Sequence, residues 1–103
     1  MEKTRLNLQE ELEGFLGSRN VYYQPPETIK LKYPCIIYEK SRVQQVYANN
    51  NTYLKHKEYS ITVIYREADS DLPDRMLDSF KLISFDRHYK ADNLYHDVFT
   101  IVW

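Results

Sequence analysis

The chain has 103 residues, the size of one domain, and is long enough to bury a single hydrophobic core. Its formal net charge of −1 does not indicate the concentrated basic surface that duplex nucleic acid requires. The chain has only two glycines and one cysteine, which excludes a glycine-rich nucleotide-binding loop and an internal disulfide.

Ten tyrosines are unusual in a chain of this length. Tyrosine is enriched at protein interfaces, so the excess is compatible with a binding or assembling surface. Half-buried β-strands are also rich in aromatic residues, and both explanations stay open. No apolar segment resembles a signal peptide or approaches membrane-spanning length, so we expect a soluble protein made in the cytosol, with no membrane partner.

The first predicted element is a helix over residues 4–16. One apolar stripe recurs along it at helical spacing, formed by Leu8, Leu12, Phe15 and Leu16. Gly17 is placed to end this helix. Residues 21–23 predict a short strand. Residues 25–33, which begin with two prolines, predict a loop or an extended edge.

Two long strands are predicted next, over residues 34–47 and 53–66, joined by a turn at the asparagines 49–51. Apolar and polar residues alternate along the second strand, which is typical of a strand with one face on the core. The tip of this hairpin is polar and has no core residues, so we expect it to project from the body. Two readings remain open: a contact with a partner, or a solvated loop.

Residues 67–80 predict a loop and a short helix, with Pro73 in its first turn. A terminal hairpin follows over residues 85–103. In its second strand Tyr95, Phe99, Ile101 and Trp103 share one face, so Trp103 is expected to be packed. The whole pattern predicts one α+β domain over residues 1–103: an antiparallel β-sheet with long hairpins and two helices packed on one face.

The terminal hairpin also contains the one cluster of residues that suggests chemistry: Asp86, His88, Asp92, His96 and Asp97. Asp86 and His88 are two residues apart on a strand, which predicts that they face the same way and could bind a metal ion or form a base with its orienting group. His96 and Asp97 would face opposite sides, so only one could join them. We expect no site here, with Asp97 instead capping the turn or pairing with Arg87. Cys35, in an apolar strand, is predicted to be a buried thiol.

Three stretches of the chain resemble a known family. They are residues 33–39 (YPCIIYE), residues 59–74 (YSITVIYREADSDLPD), and residues 85–89 (FDRHY) together with 91–99 (ADNLYHDVF). These segments resemble the small tail-completion, or tail-terminator, proteins of long-tailed bacteriophages and prophages. The similarity covers residues 33–103 and, more loosely, the N-terminal helix, and it contains no catalytic signature.

The resemblance implies a structural protein of the virion, without catalysis and without a cofactor. Such proteins cap the growing tail tube as a ring, commonly a hexamer, and form the head–tail joining interface, while genomic DNA passes through the channel without sequence-specific binding. The partners implied are further copies of the chain, the tail tube protein and the head connector or stopper protein. A polar hairpin tip and a tyrosine-rich surface suit the contacts of such a ring, and the interface is predicted at Tyr22, Tyr23, Tyr47, Asn49, Asn50, Asn51, Tyr53 and Lys55.

Three alternatives stay open at this point. The first is a head-completion or adaptor protein on the capsid side of the same joint, which the sequence does not separate from a tail terminator. The second is a small metal-dependent enzyme or hydrolase that uses Asp86, His88 and His96. The third is a cytosolic binding module.

Overall fold

The computed structural model describes the backbone of residues 4–48 and 51–103, and the side chains of residues 4–43 and 57–103. Within these ranges the chain forms α1 (Arg5–Leu16), β1 (Val21–Tyr23), β2 (Cys35–Ala48), β3 (Asn51–Tyr65), α2 (Leu72–Ser79), β4 (Ile83–Ala91) and β5 (Leu94–Val102). This is the α+β fold that the hydrophobic pattern predicts, with each element within a few residues of its expected position.

The five strands form one sheet in the order β1-β2-β3-β5-β4. The pairs β2–β3, β3–β5 and β4–β5 are antiparallel, as expected. The short strand β1 differs, because it pairs with β2 in parallel, with Val21 opposite Ile36. Residues 24–34 provide the return connection that a parallel pair requires. A run of three apolar residues contains no signal for the direction in which the strand pairs, so the sequence pattern could not predict the parallel pairing of β1 with β2.

The hydrophobic core lies between the two helices and one face of the sheet. From the helices it receives Leu8, Leu12, Leu72 and Met76. From β3 it receives the alternate residues Tyr59, Ile61, Val63 and Tyr65, and β5 adds Phe99 and Ile101. The side chains of one strand parity therefore meet both helices, which confirms the predicted arrangement of helices on one face.

The ends of α1 explain why it is a separate, well-defined element. Thr4 and Asn7 form a reciprocal capping box. The Thr4 hydroxyl accepts a hydrogen bond from the backbone N–H of Asn7, and the side-chain oxygen of Asn7 accepts one from the backbone N–H of Thr4. Gly17 ends the helix with a φ of 76°, a left-handed conformation that glycine adopts without strain. No helix in the described part of the chain is long and apolar enough to cross a bilayer.

The β2–β3 hairpin extends well past the rest of the sheet. Strand β1 pairs with β2 only as far as Tyr38, and the last register pair of β3 with β5 is Glu58 with Val102. Beyond these points, residues 43–48 pair with residues 51–57, and neither segment pairs with another strand among the described residues. At about 3.3 Å per residue this two-stranded extension is roughly 20 Å long. The predicted projection of the hairpin is therefore a feature of the backbone, and the molecule measures 52 × 28 × 23 Å.

Candidate functional site

The residues predicted to form an interface lie in two regions of the molecule. The first is the projecting end of the β2–β3 hairpin. Asn49 and Asn50 lie outside the described residues, and the side chains of Tyr47, Asn51, Tyr53 and Lys55 lie outside the described side chains. The interface role of these six residues stays a prediction, and for the four whose backbone is described that backbone lies beyond the body of the sheet.

The second region is strand β1, with Tyr22 and Tyr23. The Tyr23 ring packs against the core, with its centroid 5.0 Å from that of Tyr38 and 6.5 Å from that of Tyr59. The guanidinium group of Arg5 lies 4.5 Å from the centroid of the Tyr23 ring, a cation–π contact. Tyr22 is half-buried and, as the adjacent residue of the strand, faces the opposite side of the sheet. The two tyrosines therefore lie on opposite faces of the sheet, and their interface role stays a prediction.

A buried carboxylate connects three neighbouring strands. Asp97 on β5 is 3% exposed and accepts a hydrogen bond from the hydroxyl of Tyr65 on β3. Its other oxygen, Oδ1, lies 2.7 Å from Nδ1 of His88 on β4. Burial, followed by the bond to Asp97 and its negative charge, raises the pKa of Tyr65 well above the usual range. The ring of Tyr95 stacks against both partners, with centroids 5.7 Å from Tyr65 and 6.0 Å from His88.

A β-bulge in β4 decides which polar residues can meet. The register shifts between Phe85 and Arg87, so Asp86 and His88 no longer share a face although they are two residues apart. Asp86 accepts a hydrogen bond from the Thr100 hydroxyl at 2.7 Å, on the side of the sheet away from the helices. The expectation that Asp86 and His88 face the same way is therefore wrong, because the rule of alternation holds only for an unbroken ladder.

The bulge also corrects the predicted partner of Asp97. His88, not Arg87, lies opposite Asp97 in the register, and it supplies the hydrogen bond. His96 faces the other side of the sheet from Asp97, as expected, and its ring stacks on Tyr89 with centroids 4.6 Å apart. The sequence did contain one signal for the buried carboxylate, since Asp97 occupies a core-facing position of the aromatic strand.

The hydrogen-bonded pair of His88 and Asp97 has a geometry that also occurs in catalytic sites. An imidazole held by a buried carboxylate is an arrangement that general bases use. Cys35, the chain's single cysteine, pairs with Ile64 of β3, which does not face the helices. Its thiol therefore lies on the other face of the sheet from the Asp97 carboxylate. Among the described residues no group of three or more histidine, cysteine or acidic side chains could hold a metal ion. The cluster fits a structural bond between three strands better than a reaction site.

Cys35 is the buried thiol that its apolar neighbours predict. Its side chain is fully buried, and burial raises the pKa of the thiol to about 11. A thiol with a raised pKa carries little thiolate near neutral pH, and the thiolate is the nucleophilic form. Cys35 is therefore placed as a packing residue.

A groove crosses the helical side of the molecule where α1, the end of α2 and the end of β5 meet. It consists of two adjoining clefts of about 360 and 430 Å³. The clefts share Glu11, Ser79 and Phe80. We call this the helix groove, and its further lining residues are Glu10, Gly14, Phe15, Lys81, Leu82, Ile101, Val102 and Trp103.

Aromatic rings and an exposed leucine make the floor of the helix groove apolar. Phe80 and Trp103 meet edge to face with centroids 6.3 Å apart. The indole Nε1 of Trp103 donates a hydrogen bond to the carbonyl of Thr4 at 2.8 Å, which fixes the ring beside the start of α1. Leu82, which directly precedes β4, is 62% exposed. The groove thus combines an ordered aromatic pair with apolar surface that solvent reaches.

Comparison with models of protein families and with curated proteins found no match to this chain.

Proposed function

We propose that this protein is a structural component of a bacteriophage or prophage tail, a tail terminator that assembles into a ring on the end of the tail tube. In this role it joins the tail to the head connector or stopper protein and lets DNA pass through its channel. It carries out no reaction and needs no cofactor. Its place is the head–tail interface of the virion.

The projecting β2–β3 hairpin is the observation that carries this proposal. An isolated two-stranded ribbon gains little stability in water, because it lacks a third strand or a packed face. A ribbon roughly 20 Å long that extends beyond its own sheet is well suited to contact another molecule. In a closed ring each copy presents one patch to a different patch of its neighbour, and a projecting arm supplies the first of these patches.

The resemblance of residues 33–103 to tail-completion proteins supports the same role. The near-neutral net charge of −1 also suits a channel through which DNA slides without tight phosphate contacts. An adaptor on the capsid side of the joint would use the same kind of ring, so the partner that the ring binds separates the two functions.

Light scattering coupled to size exclusion, followed by electron microscopy, tests the proposal. We expect particles of about six times the 12.5 kDa mass of the chain, either in solution or once purified tail tubes are added. Binding to the end of tail tubes identifies a terminator, whereas binding to isolated connectors without binding to tail tubes identifies an adaptor on the capsid side. A protein that remains monomeric at high concentration and does not bind tail tubes would overturn the proposal.

A further inference from the structure

The projecting end of the β2–β3 hairpin has two free backbone edges within the described part of the chain. Strand β1 occupies the outer side of β2 only as far as Tyr38, and the register of β5 with β3 ends at Glu58. Beyond these residues each strand of the hairpin keeps an outer edge, which we call the β2 edge (residues 43–48) and the β3 edge (residues 51–57). The backbone N–H and C=O groups along such an edge are a template for pairing with another chain.

One hydrogen bond shows which backbone groups point toward each edge. The amide of Trp103 donates to the carbonyl of Lys57 at 2.8 Å, so the backbone groups of Lys57 point away from β2. Its register partner Val43 is therefore in a non-hydrogen-bonded pair, and the backbone groups of Val43 point out from the β2 edge. The pair of Gln45 and Lys55, two residues further along, has the same arrangement. Gln45 thus presents its N–H on the β2 edge, and Lys55 presents its N–H on the β3 edge.

The free edges of the sheet differ in how they are protected against pairing. Strand β4 has a bulge between Phe85 and Arg87 and charged residues along its length, which are devices that keep edge strands apart. The β2 edge has the sequence VQQVYA, without a charged residue, proline or glycine. Valine and tyrosine favour strands, and the bulge of β2 between Lys40 and Arg42 precedes this segment. The β2 edge is therefore less protected than the edge of β4.

Charge and strand direction favour one of the ways in which two copies could pair along these edges. Two β3 edges repel each other, because each contains Lys55 and Lys57 and no carboxylate. Two β2 edges pair antiparallel only when the tips of the two hairpins point in opposite directions. A β2 edge and a β3 edge pair antiparallel when the tips point the same way, because β2 runs toward the tip and β3 runs away from it. Copies arranged around an axis parallel to the hairpin meet this last condition.

The two segments are already compatible partners inside each copy. Residues 43–46 pair with residues 54–57 in an uninterrupted antiparallel register through their inner edges. The β2 edge places no like charge opposite the lysines of the β3 edge. A hairpin that receives a strand on each side also gains the further strands that an isolated two-stranded ribbon lacks.

We propose that the β2 edge of one copy pairs, as antiparallel strands, with the β3 edge of a second copy of this chain. The regular segments 43–46 and 54–57 form the centre of this contact. The inference rests on the proposed ring, because the two edges supply the unlike patches through which each copy meets its neighbours. When the ring closes, every β2 edge and every β3 edge has a partner.

Proline substitution on each edge tests the pairing, because proline has no backbone N–H to donate. Gln45→Pro removes an N–H from the β2 edge, and Lys55→Pro removes one from the β3 edge. The two residues form a non-hydrogen-bonded pair, so neither variant removes a hydrogen bond between β2 and β3. The matched controls are Gln45→Ala and Lys55→Ala, which shorten the same side chains and keep the N–H. Circular dichroism and thermal melting check the fold of all four variants.

We expect each proline variant to remain at the 12.5 kDa monomer mass under conditions where the wild type and both alanine controls form the larger assembly. An equimolar mixture of the two proline variants should stop at two copies, because one intact β2 edge and one intact β3 edge remain to pair. Formation of this pair also shows that the hairpins of both variants are folded. Assembly of either proline variant at the wild-type mass overturns the edge pairing. A mixture that stays monomeric or grows beyond two copies overturns it as well.

The same measurements separate the edge pairing from the proposed function. An assembly of six copies that neither proline variant disturbs supports the ring and overturns the edge pairing. An assembly whose mass keeps growing with concentration, and which both proline variants prevent, supports the edge pairing and overturns the closed ring. An assembly of two copies that Lys55→Pro leaves intact overturns both. Wild-type protein that remains at 12.5 kDa at every concentration and in the presence of tail tubes also overturns both.

Discussion

Nδ1 of His88 lies 2.7 Å from Oδ1 of Asp97, so a half-exposed ring on the edge strand β4 is bonded to a carboxylate buried in the interior strand β5. The other carboxylate oxygen accepts from Tyr65 on β3. One side chain therefore connects three adjacent strands by hydrogen bonds that are independent of the backbone ladder. A buried carboxylate is costly unless it has such partners, and both of its oxygens have one here.

Replacing Asp97 with alanine should lower the free energy of unfolding by about 3 kcal/mol, because the buried Tyr65 hydroxyl loses its acceptor and packing is lost as well. The matched control is Asp86→Ala, which removes an exposed carboxylate bonded to Thr100 and should cost about 0.5 kcal/mol. Urea denaturation followed by circular dichroism measures both values. Equal losses in the two variants would contradict the structural role of Asp97.

Alkaline pH should destabilise the protein partly through Tyr65. The pKa of Tyr65 is raised in the folded state above its ordinary value of 10.0, by burial first and by Asp97 second. Below the ordinary value both states keep this proton, and stability is unaffected. Above it the unfolded chain releases the proton while the folded chain retains it, so stability falls as pH rises. Tyr65→Phe should show a shallower decrease between pH 10 and 11 in urea titrations, and parallel curves for variant and wild type would argue against the shift.

Cys35 should resist thiol reagents as long as the protein is folded. Its pKa is raised from 9.0 to about 11, and its side chain is fully buried. The raised pKa alone lowers the thiolate fraction near pH 8 about 100-fold, and burial slows access further. Labelling with a chromogenic disulfide reagent should therefore be at least 100-fold slower in buffer than in concentrated urea. Rapid labelling of the native protein would place the thiol at the surface.

Trp103 should contribute to stability through packing and through one hydrogen bond. Trp103→Ala removes the ring that meets Phe80 and the bond to the Thr4 carbonyl, and we expect a loss of about 2 kcal/mol for this partly buried side chain. Trp103→Phe keeps much of the packing but not the donor, so it should cost about 1 kcal/mol. Thermal melting by circular dichroism measures both variants. If both variants have a free energy of unfolding within about 0.5 kcal/mol of the wild type, the indole ring of Trp103 is not packed as described.

Shortening the tip of the long hairpin should separate folding from assembly. Replacing the three asparagines 49–51 by a two-residue Asn-Gly turn removes the first residue of β3, Asn51, at the far end of the ribbon, and changes no residue in the body of the protein. We expect an unchanged melting temperature together with weaker assembly or weaker binding to tail tubes. Assembly at the wild-type level would identify the tip as a solvated loop.

Most of the fold could be predicted because the hydrophobic pattern is consistent over long segments. Alternation over residues 57–65 and the stripe of Leu8 and Leu12 each identify an element and its buried face. The direction of β1 could not be predicted, because strand direction depends on how the connection over residues 24–34 returns.

The polar cluster of β4 and β5 was harder to predict for a local reason. A single extra residue in a ladder reverses the faces of all residues that follow it, and no residue type identifies the bulge near Asp86. Its effect is to bring His88 to Asp97 and to leave Asp86 with Thr100. The helix groove was not predicted either, because it combines residues from three elements that are distant in the sequence.

The strand order has a consequence for the order of events during synthesis. Strand β4 leaves the ribosome before β5, yet it joins the sheet only through β5, which lies between it and β3. Until β5 is made, β3 has an uncovered apolar edge, and the carboxylate that connects the three strands is missing. The β2–β3 hairpin can form early from local contacts, whereas the other half of the sheet must wait for the segment that follows β4. A chain that ends before Leu94 would therefore expose the apolar residues of β3. Such a chain would be prone to aggregation and to degradation by cellular proteases.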